Sequence, residues 1–108
     1  MPGTRVVMMV VPRLLADMMR SALARADASL VVEEHADADT GAALLHRLHA
    51  DVIILGPAVA PADATTIRAA LPAARVLSLS SDLRWLHGPA EPQRQPFNAR
   101  NLVSAALA

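Results

Sequence analysis

Apolar and polar residues along this chain follow two patterns, one typical of buried strands and one typical of amphipathic helices. The clearest strand pattern is Asp-Val-Ile-Ile-Leu-Gly, from Asp51 to Gly56. A short apolar run that opens on an acid and closes on a turn residue predicts a central strand of a parallel sheet, buried on both faces. The four predicted strands are Arg5 to Val11, Leu30 to Val32, Asp51 to Gly56 and Arg75 to Ser80.

Helical spacing of apolar residues follows each of these segments. After Pro12, apolar residues recur three or four positions apart as far as Leu23, and proline suits the start of a helix. Asp39 and Thr40 are suitable N-caps for a second helix, which carries Leu44, Leu45 and Leu48. The two remaining predicted helices span Asp63 to Leu71 and Asn98 to Leu107, and Asn98 can cap the second of them.

Strands that alternate with helices in this way predict right-handed β-α-β units and a parallel sheet covered by helices on both faces. The weak part of the pattern is Asp82 to Pro96, which contains three prolines, one glycine and few apolar residues. A fifth strand there would be short and polar, and its prolines would confine it to the edge of the sheet. The pattern therefore predicts a single α/β domain over residues 1–108.

Composition narrows the classes of function. The chain of 108 residues is 54% hydrophobic and 19% charged, which is typical of one folded domain. Its formal net charge of zero gives no footprint for nucleic acid. There is no cysteine for a disulfide, a thiol nucleophile or a thiolate metal site, and no lysine, so any mechanism that needs a lysine ammonium group is excluded. Without a signal peptide or a membrane-length apolar run, the expected location is the cytoplasm.

Five segments resemble the receiver domain of bacterial two-component response regulators. These segments are Val6 to Leu15, Ser29 to Asp37, Asp51 to Gly56, Arg75 to Ser81, and Gln95-Pro96-Phe97, which is similar to the Lys-Pro-Phe of that family. The resemblance implies a doubly wound, flavodoxin-like (βα)5 domain with the parallel strand order 2-1-3-4-5. It also implies that the chain is a degenerate member, a pseudo-receiver that lacks the phosphoacceptor aspartate.

The resemblance places the site of the family on residues that cannot perform its chemistry. The paired acids correspond to Val10 and Val11, the phosphoacceptor to Gly56, the switch hydroxyl to Ser80 and the lysine to Gln95. Phosphotransfer needs a carboxylate nucleophile and a magnesium ion held by oxygen ligands, and valine and glycine side chains supply neither. We therefore predict no aspartyl phosphorylation, no metal, no cofactor and no enzyme activity.

A shortened connection separates the switch hydroxyl from the position of the lysine. Receivers have room for a full fourth helix there, whereas here only Ser81 to Arg94 intervenes. This length predicts a fourth helix reduced to a turn or two around Asp82 to His87. The family uses the neighbouring surface for dimerisation and output, so that surface must be rebuilt, with Trp85 and Phe97 as candidate interface residues.

Two histidines raise the separate question of a metal site. His46 and His49 lie three residues apart on the second predicted helix, a spacing that can bind a metal. No acid or third histidine recurs at matching spacing, so we expect them on a solvent-exposed face.

Two functional hypotheses follow from these observations. The first is a phosphorylation-independent pseudo-receiver, a protein-interaction or dimerisation module in bacterial signal transduction or transcription regulation. Its partner would be another protein or a second copy, or a DNA-binding domain in a longer parent protein, with no direct contact to nucleic acid or membrane. The alternative is a small-molecule sensor that uses the vacated phosphorylation pocket, lined by Val10, Val11, Gly56, Ser80 and Gln95.

Overall fold

The structure is a computed structural model that describes residues 4–35, 49–88 and 94–107, with a six-stranded sheet at its centre. In chain order the strands are β1 (Arg5–Met9), β2 (Val31–His35), β3 (Val52–Leu55), β4 (Arg75–Leu79), β5 (Trp85–His87) and β6 (Arg94–Pro96). The helices within these residues are α1 (Arg13–Ala26), α2 (Pro61–Ala70) and α3 (Ala99–Leu107). The predicted α/β class is confirmed.

The first four strands form a parallel sheet in the order β2-β1-β3-β4. All four residues of β3 are buried, as its continuous run of branched apolar residues predicts. The polar sequence of β2 places it at the edge, where a charged side chain can reach solvent. Arg5 of β1 forms an ion pair with Glu33 of β2 at 2.6 Å.

The predicted strand order 2-1-3-4-5 holds for the first five strands, but the prediction that all of them are parallel is wrong beyond the fourth strand. β5 pairs with β4 in antiparallel fashion, and β6 pairs with β5 in antiparallel fashion. Five residues connect β4 to β5, because β4 ends at Leu79 and β5 begins at Trp85. A parallel neighbour needs a crossover of about a dozen residues or more, so this connection can only reverse the chain.

The predicted short helix around Asp82 to His87 is also wrong. These residues form a turn followed by β5. The N–H of Leu83 donates to the carbonyl oxygen of Ser80 at 3.0 Å, and Leu83 has a φ of 60°. A residue in this left-handed region reverses the chain tightly and does not continue a right-handed helix.

Each face of the sheet carries its own apolar core. One core lies under α1 and α3, and the other lies under α2. The buried residues of the core under α1 and α3 are Val6, Met8, Ala16, Met19, Leu23, Val52, Ile54, Leu77, Leu79, Leu86, Leu102, Ala105 and Ala106. On the α2 side they are Val7, Met9, Ile53, Leu55, Ala64, Ile67 and Val76. The alternation between these two sets along β1 and β3 follows from the two-residue period of a strand.

Asn98 caps the last helix as predicted, because its side-chain oxygen accepts a hydrogen bond from the N–H of Asn101 at 2.8 Å. The helix predicted after Asp39 and Thr40, which contains His46, lies outside the described residues. None of the described helices is long and apolar enough to cross a membrane.

Candidate functional site

Three of the predicted site residues follow directly on neighbouring parallel strands. Val10 follows β1, Gly56 follows β3 and Ser80 follows β4. Because β1 pairs with β3 and β3 pairs with β4, their carboxyl ends meet at one edge of the sheet. This edge is where ligands of open α/β sheets bind.

Main-chain atoms fill the space that a side chain at position 56 would need. Gly56 is buried, and its N–H donates to the carbonyl oxygen of Met9 at 2.8 Å. A Cβ atom on Gly56 would lie 1.9 Å from the carbonyl oxygen of Val10 and 2.6 Å from its carbonyl carbon. No side chain fits there unless the backbone moves, so this backbone cannot hold a carboxylate at the phosphoacceptor position.

Val10 adopts a backbone conformation that is rare for its residue type. Its φ is 56°, in the left-handed region that β-branched residues avoid at a cost of about 1–3 kcal/mol. Its N–H donates to the carbonyl oxygen of His35 at 2.9 Å, which holds the end of β1 against β2. The side chain of Val10 packs against the core under α2, whereas that of Val11 packs against the core under α1 and α3.

Ser80 fixes the turn between β4 and β5. Its hydroxyl donates to Oδ1 of Asp82 at 2.6 Å and accepts the N–H of Trp85 at 3.0 Å. The same carboxylate oxygen accepts the N–H of Arg84 at 3.0 Å. The hydrogen bond from the Ser80 hydroxyl, followed by that from the Arg84 N–H, lowers the pKa of Asp82 below its ordinary value of 3.8. The Ser80 hydroxyl therefore has a structural role in this turn.

Gln95 lies level with Leu79 at this end of the sheet, but it is not brought next to Gly56. It lies on β6 and pairs with Leu86 of β5, three strands from β3. At the usual strand spacing this separation is about 14 Å. β6 is antiparallel to β5 and therefore runs in the direction of β4, so the antiparallel β5 separates the Gln-Pro-Phe segment from β4.

Gly56 and Ser80 line one open cleft of about 310 Å³, between α2 and the ends of β3 and β4. Val10 and Val11 are absent from its lining, and four polar side chains that the sequence analysis missed are present: Thr65, Arg68, Ser78 and His87. Arg68 places Nη2 3.5 Å from Oγ of Ser78. One feature of the sequence could have indicated this lining. Along one face of β4 and its exit, the apolar Val76 is followed by the polar Ser78 and Ser80.

Val11 lines a different hollow, of about 350 Å³, with charged side chains around it. The other lining residues are Arg13, Asp17, Glu34 and His35. Nε2 of His35 lies 3.7 Å from Oε2 of Glu33, and Arg20 forms an ion pair with Glu34. Among the described residues, no group of three histidine or acidic side chains could hold a metal ion.

The two candidate interface residues lie on opposite faces of the sheet. Phe97 lines an apolar groove of about 140 Å³ between α1 and the start of α3. Leu86 belongs to the core under α1 and α3, so its neighbour Trp85 points to the other face of the sheet. Trp85 is half-buried there. The guanidinium carbon of Arg94 lies 4.4 Å from the centroid of the Trp85 ring, a cation–π contact.

Comparison of the chain with protein-family models, curated proteins and solved structures finds no match. The receiver-like interpretation therefore rests on the order of the elements and on the residues of this edge.

Replacing Gly56 with alanine should destabilise the protein strongly, because the added Cβ meets the Val10 carbonyl. We expect Gly56→Ala to lower the free energy of unfolding by more than about 2 kcal/mol, measured by urea denaturation. The matched control is Ala58→Ser, which also adds one heavy atom but at an exposed position of the same loop. Equal stability of the two variants would contradict the proposed clash.

Removing the Ser80 hydroxyl should raise the pKa of Asp82 towards 3.8, because its largest stabilising contact is lost. Since the folded pKa is depressed, this contact stabilises the fold above the ordinary pKa, and the stabilisation disappears as the pH falls through the folded value. Carboxyl NMR titration of Ser80→Ala checks this. Asp27, whose pKa is lowered by hydrogen bonds from Ser29, is the internal control, and its pKa should not change. If the pKa of Asp82 is the same in Ser80→Ala as in the original chain, the Ser80 hydroxyl does not lower it.

Proposed function

We propose that this chain is a phosphorylation-independent, receiver-like domain that acts as a dimerisation module in bacterial signal transduction or transcription regulation. The observation that carries the proposal is the Val10 carbonyl oxygen 1.9 Å from the position of a Cβ on Gly56. A domain whose phosphoacceptor position admits no side chain cannot be switched by an aspartyl phosphate. The parallel order β2-β1-β3-β4 and the Gln-Pro-Phe segment before α3 support the likeness to receivers and, with it, a flavodoxin-like ancestry.

The turn at Ser80 adds a second argument for a domain that does not respond to phosphorylation. In the family, the corresponding hydroxyl responds to phosphorylation. Here the Ser80 hydroxyl is held by Asp82 and by the N–H of Trp85, within the turn that sets the direction of β5. Moving this hydroxyl towards Gly56 would break both hydrogen bonds and the turn with them.

The proposed contact between copies is the outer face of α1. Leu14 and Met18 lie one turn apart on this helix and are 82% and 69% exposed. Exposed apolar side chains that adjoin an apolar groove mark interaction surfaces, and Met18 also lines the groove beside Phe97. Ser21 and Arg25 follow Met18 at the spacing of three or four residues that keeps side chains on one face of a helix. This outer face therefore runs the length of α1.

The charges on this face fit a second copy of the chain. Asp17 and Arg25 lie four residues on either side of Ser21, and all three are exposed. When two α1 helices pack antiparallel about a two-fold axis at Ser21, Asp17 of each copy faces Arg25 of the other. Such an isologous contact forms two equivalent ion pairs, and the small side chain at its centre lets the helices approach closely.

Small-molecule sensing is the second candidate function. The observation that favours it is the open cleft of about 310 Å³ that Gly56 and Ser80 line. Its lining differs from the predicted pocket, since Arg68, Ser78 and His87 take the place of Val10, Val11 and Gln95.

Loss of phosphorylation can be tested with beryllium fluoride, which mimics an aspartyl phosphate only when magnesium is present. We expect the amide NMR spectrum of the protein with beryllium fluoride to be the same with and without magnesium, since Val10, Val11 and Gly56 offer no carboxylate. Magnesium-dependent shifts at Gly56 and Ser80 would refute this part of the proposal. A phosphorylatable receiver treated in parallel is the positive control.

Charge exchange on α1 tests the antiparallel dimer. We expect Asp17→Arg and Arg25→Asp each to weaken dimerisation about tenfold, because each places like charges together at two equivalent sites. The double variant should recover the affinity of the original chain, measured by sedimentation equilibrium. A monomeric original chain, or a double variant weaker than both single variants, would contradict this contact.

A further inference from the structure

One part of the sheet carries polar side chains that none of the described helices covers. An all-parallel sheet would place a crossover helix between β4 and the next strand, on the side of α2. The tight turn from Ser80 to Arg84 replaces that helix. Among residues 4–35, 49–88 and 94–107, α2 is the one helix on this side, and the sheet residues in its core belong to β1, β3 and β4. The cleft beside α2 remains open.

Positive and hydroxyl groups converge at this opening. Ser78 of β4 is paired with His87 of β5, and both line the cleft. Paired residues on neighbouring strands have side chains on the same face of a sheet. Arg68 of α2 reaches over from the other wall, with Nη2 3.5 Å from Oγ of Ser78. Arg94, paired with His87 in the next strand, adds a further guanidinium on this face.

The cleft has no negative charge of its own among the described residues. Arg68 and His87 are the ionisable side chains in its lining. The nearest acid in the chain to Ser80 is Asp82, whose carboxylate accepts hydrogen bonds from the Ser80 hydroxyl and the Arg84 N–H within the turn. An anion in the cleft would therefore meet the hydroxyl donor of Ser78 and the positive charge of Arg68.

The other end of the cleft is largely apolar. Leu55, Val59 and Ala64 line it, at the end of β3 and the start of α2. The volume of about 310 Å³ lies at the lower end of the range for small-molecule sites. A pocket with a few convergent polar groups at one place and apolar side chains elsewhere selects a ligand with one charged group and a compact apolar body.

We infer that this cleft binds a small organic anion, with its phosphate or carboxylate group at Arg68, Ser78 and His87 and its apolar part against Leu55, Val59 and Ala64. A guanidinium group has five N–H donors, so Arg68 can bind the anion and keep its existing contacts. Charge-assisted hydrogen bonds from arginine to phosphate or carboxylate are the strongest contacts available to such a ligand. This inference deepens the second candidate function and is independent of dimerisation through α1.

The test is an amide NMR titration of the full chain with three probes: inorganic phosphate, phenyl phosphate and benzoate. We expect saturable shifts at Gly56, Ser78 and His87 without magnesium, and tighter binding of phenyl phosphate than of inorganic phosphate because only the former has an apolar body. Comparison of phenyl phosphate with benzoate identifies the preferred charged group. No saturable shift at these residues with any probe, or equal affinities for the two phosphates, would overturn the inference.

Two variants and one control assign the binding to the cleft. Arg68→Gln should weaken phenyl phosphate binding about tenfold, through the loss of a charge-assisted hydrogen bond. Ser78→Val should also weaken it, and since valine suits a strand, this variant keeps the test valid if Arg68→Gln is poorly folded. Arg100→Gln makes the same change of charge on α3, on the other face of the sheet, and should leave the affinity unchanged. Equal weakening in Arg68→Gln and Arg100→Gln would mean non-specific attraction and would overturn the site.

The outcomes separate the proposals. Failure of this titration would leave the beryllium fluoride and sedimentation results as they stand, because those depend on Gly56 and on α1. Conversely, magnesium-dependent shifts with beryllium fluoride would refute the loss of phosphorylation without bearing on the magnesium-free titration.

Discussion

The carbonyl oxygen of Val10 lies where the Cβ of any side chain at position 56 would have to be, and the arrangement of the whole strand edge follows from this approach. The N–H of Gly56 donates to Met9, and the N–H of Val10 donates to His35, so the ends of β1, β2 and β3 are joined by main-chain hydrogen bonds. Val10 holds a left-handed φ of 56° to make this possible. Such strain persists only where the surrounding structure enforces it, and here the buried strands on both sides do so. The requirement for glycine at position 56 and the absence of any side chain at this point of the edge are thus consequences of one contact.

A second local interaction decides the far half of the sheet. The Ser80 hydroxyl and the Asp82 carboxylate together satisfy the N–H groups of Arg84 and Trp85 and stabilise a tight reversal of the chain. This reversal makes β5 antiparallel, moves Gln95 outward to β6, and leaves the α2 side of β4 and β5 without a crossover helix. The residue that resembles the switch of a receiver therefore builds the feature that distinguishes this domain from one. The open cleft beside α2 is a direct result of it.

The two faces of the sheet divide the proposed roles. On one face, α1 and α3 cover a large core, and α1 exposes Leu14 and Met18 on its outer side. On the other face, the smaller core under α2 gives way to the polar cleft with Arg68, Ser78 and His87. Contact between copies and binding of an anion would therefore occupy different surfaces. The sheet itself, with its fully buried β3, is the element through which one surface could influence the other.

The sequence by itself determined the α/β class, the four parallel strands and the cap at Asn98, because apolar runs and capping residues can be recognised without coordinates. It could not determine the course of the chain from Asp82 to Pro96, since strands of three residues are too short to show a period. Only the tertiary structure decided that Val10 closes the space beside Gly56, that Gln95 lies three strands from β3, and that Arg68 meets Ser78. Each of these depends on hydrogen bonds and packing between residues far apart in the chain, which no local pattern reports.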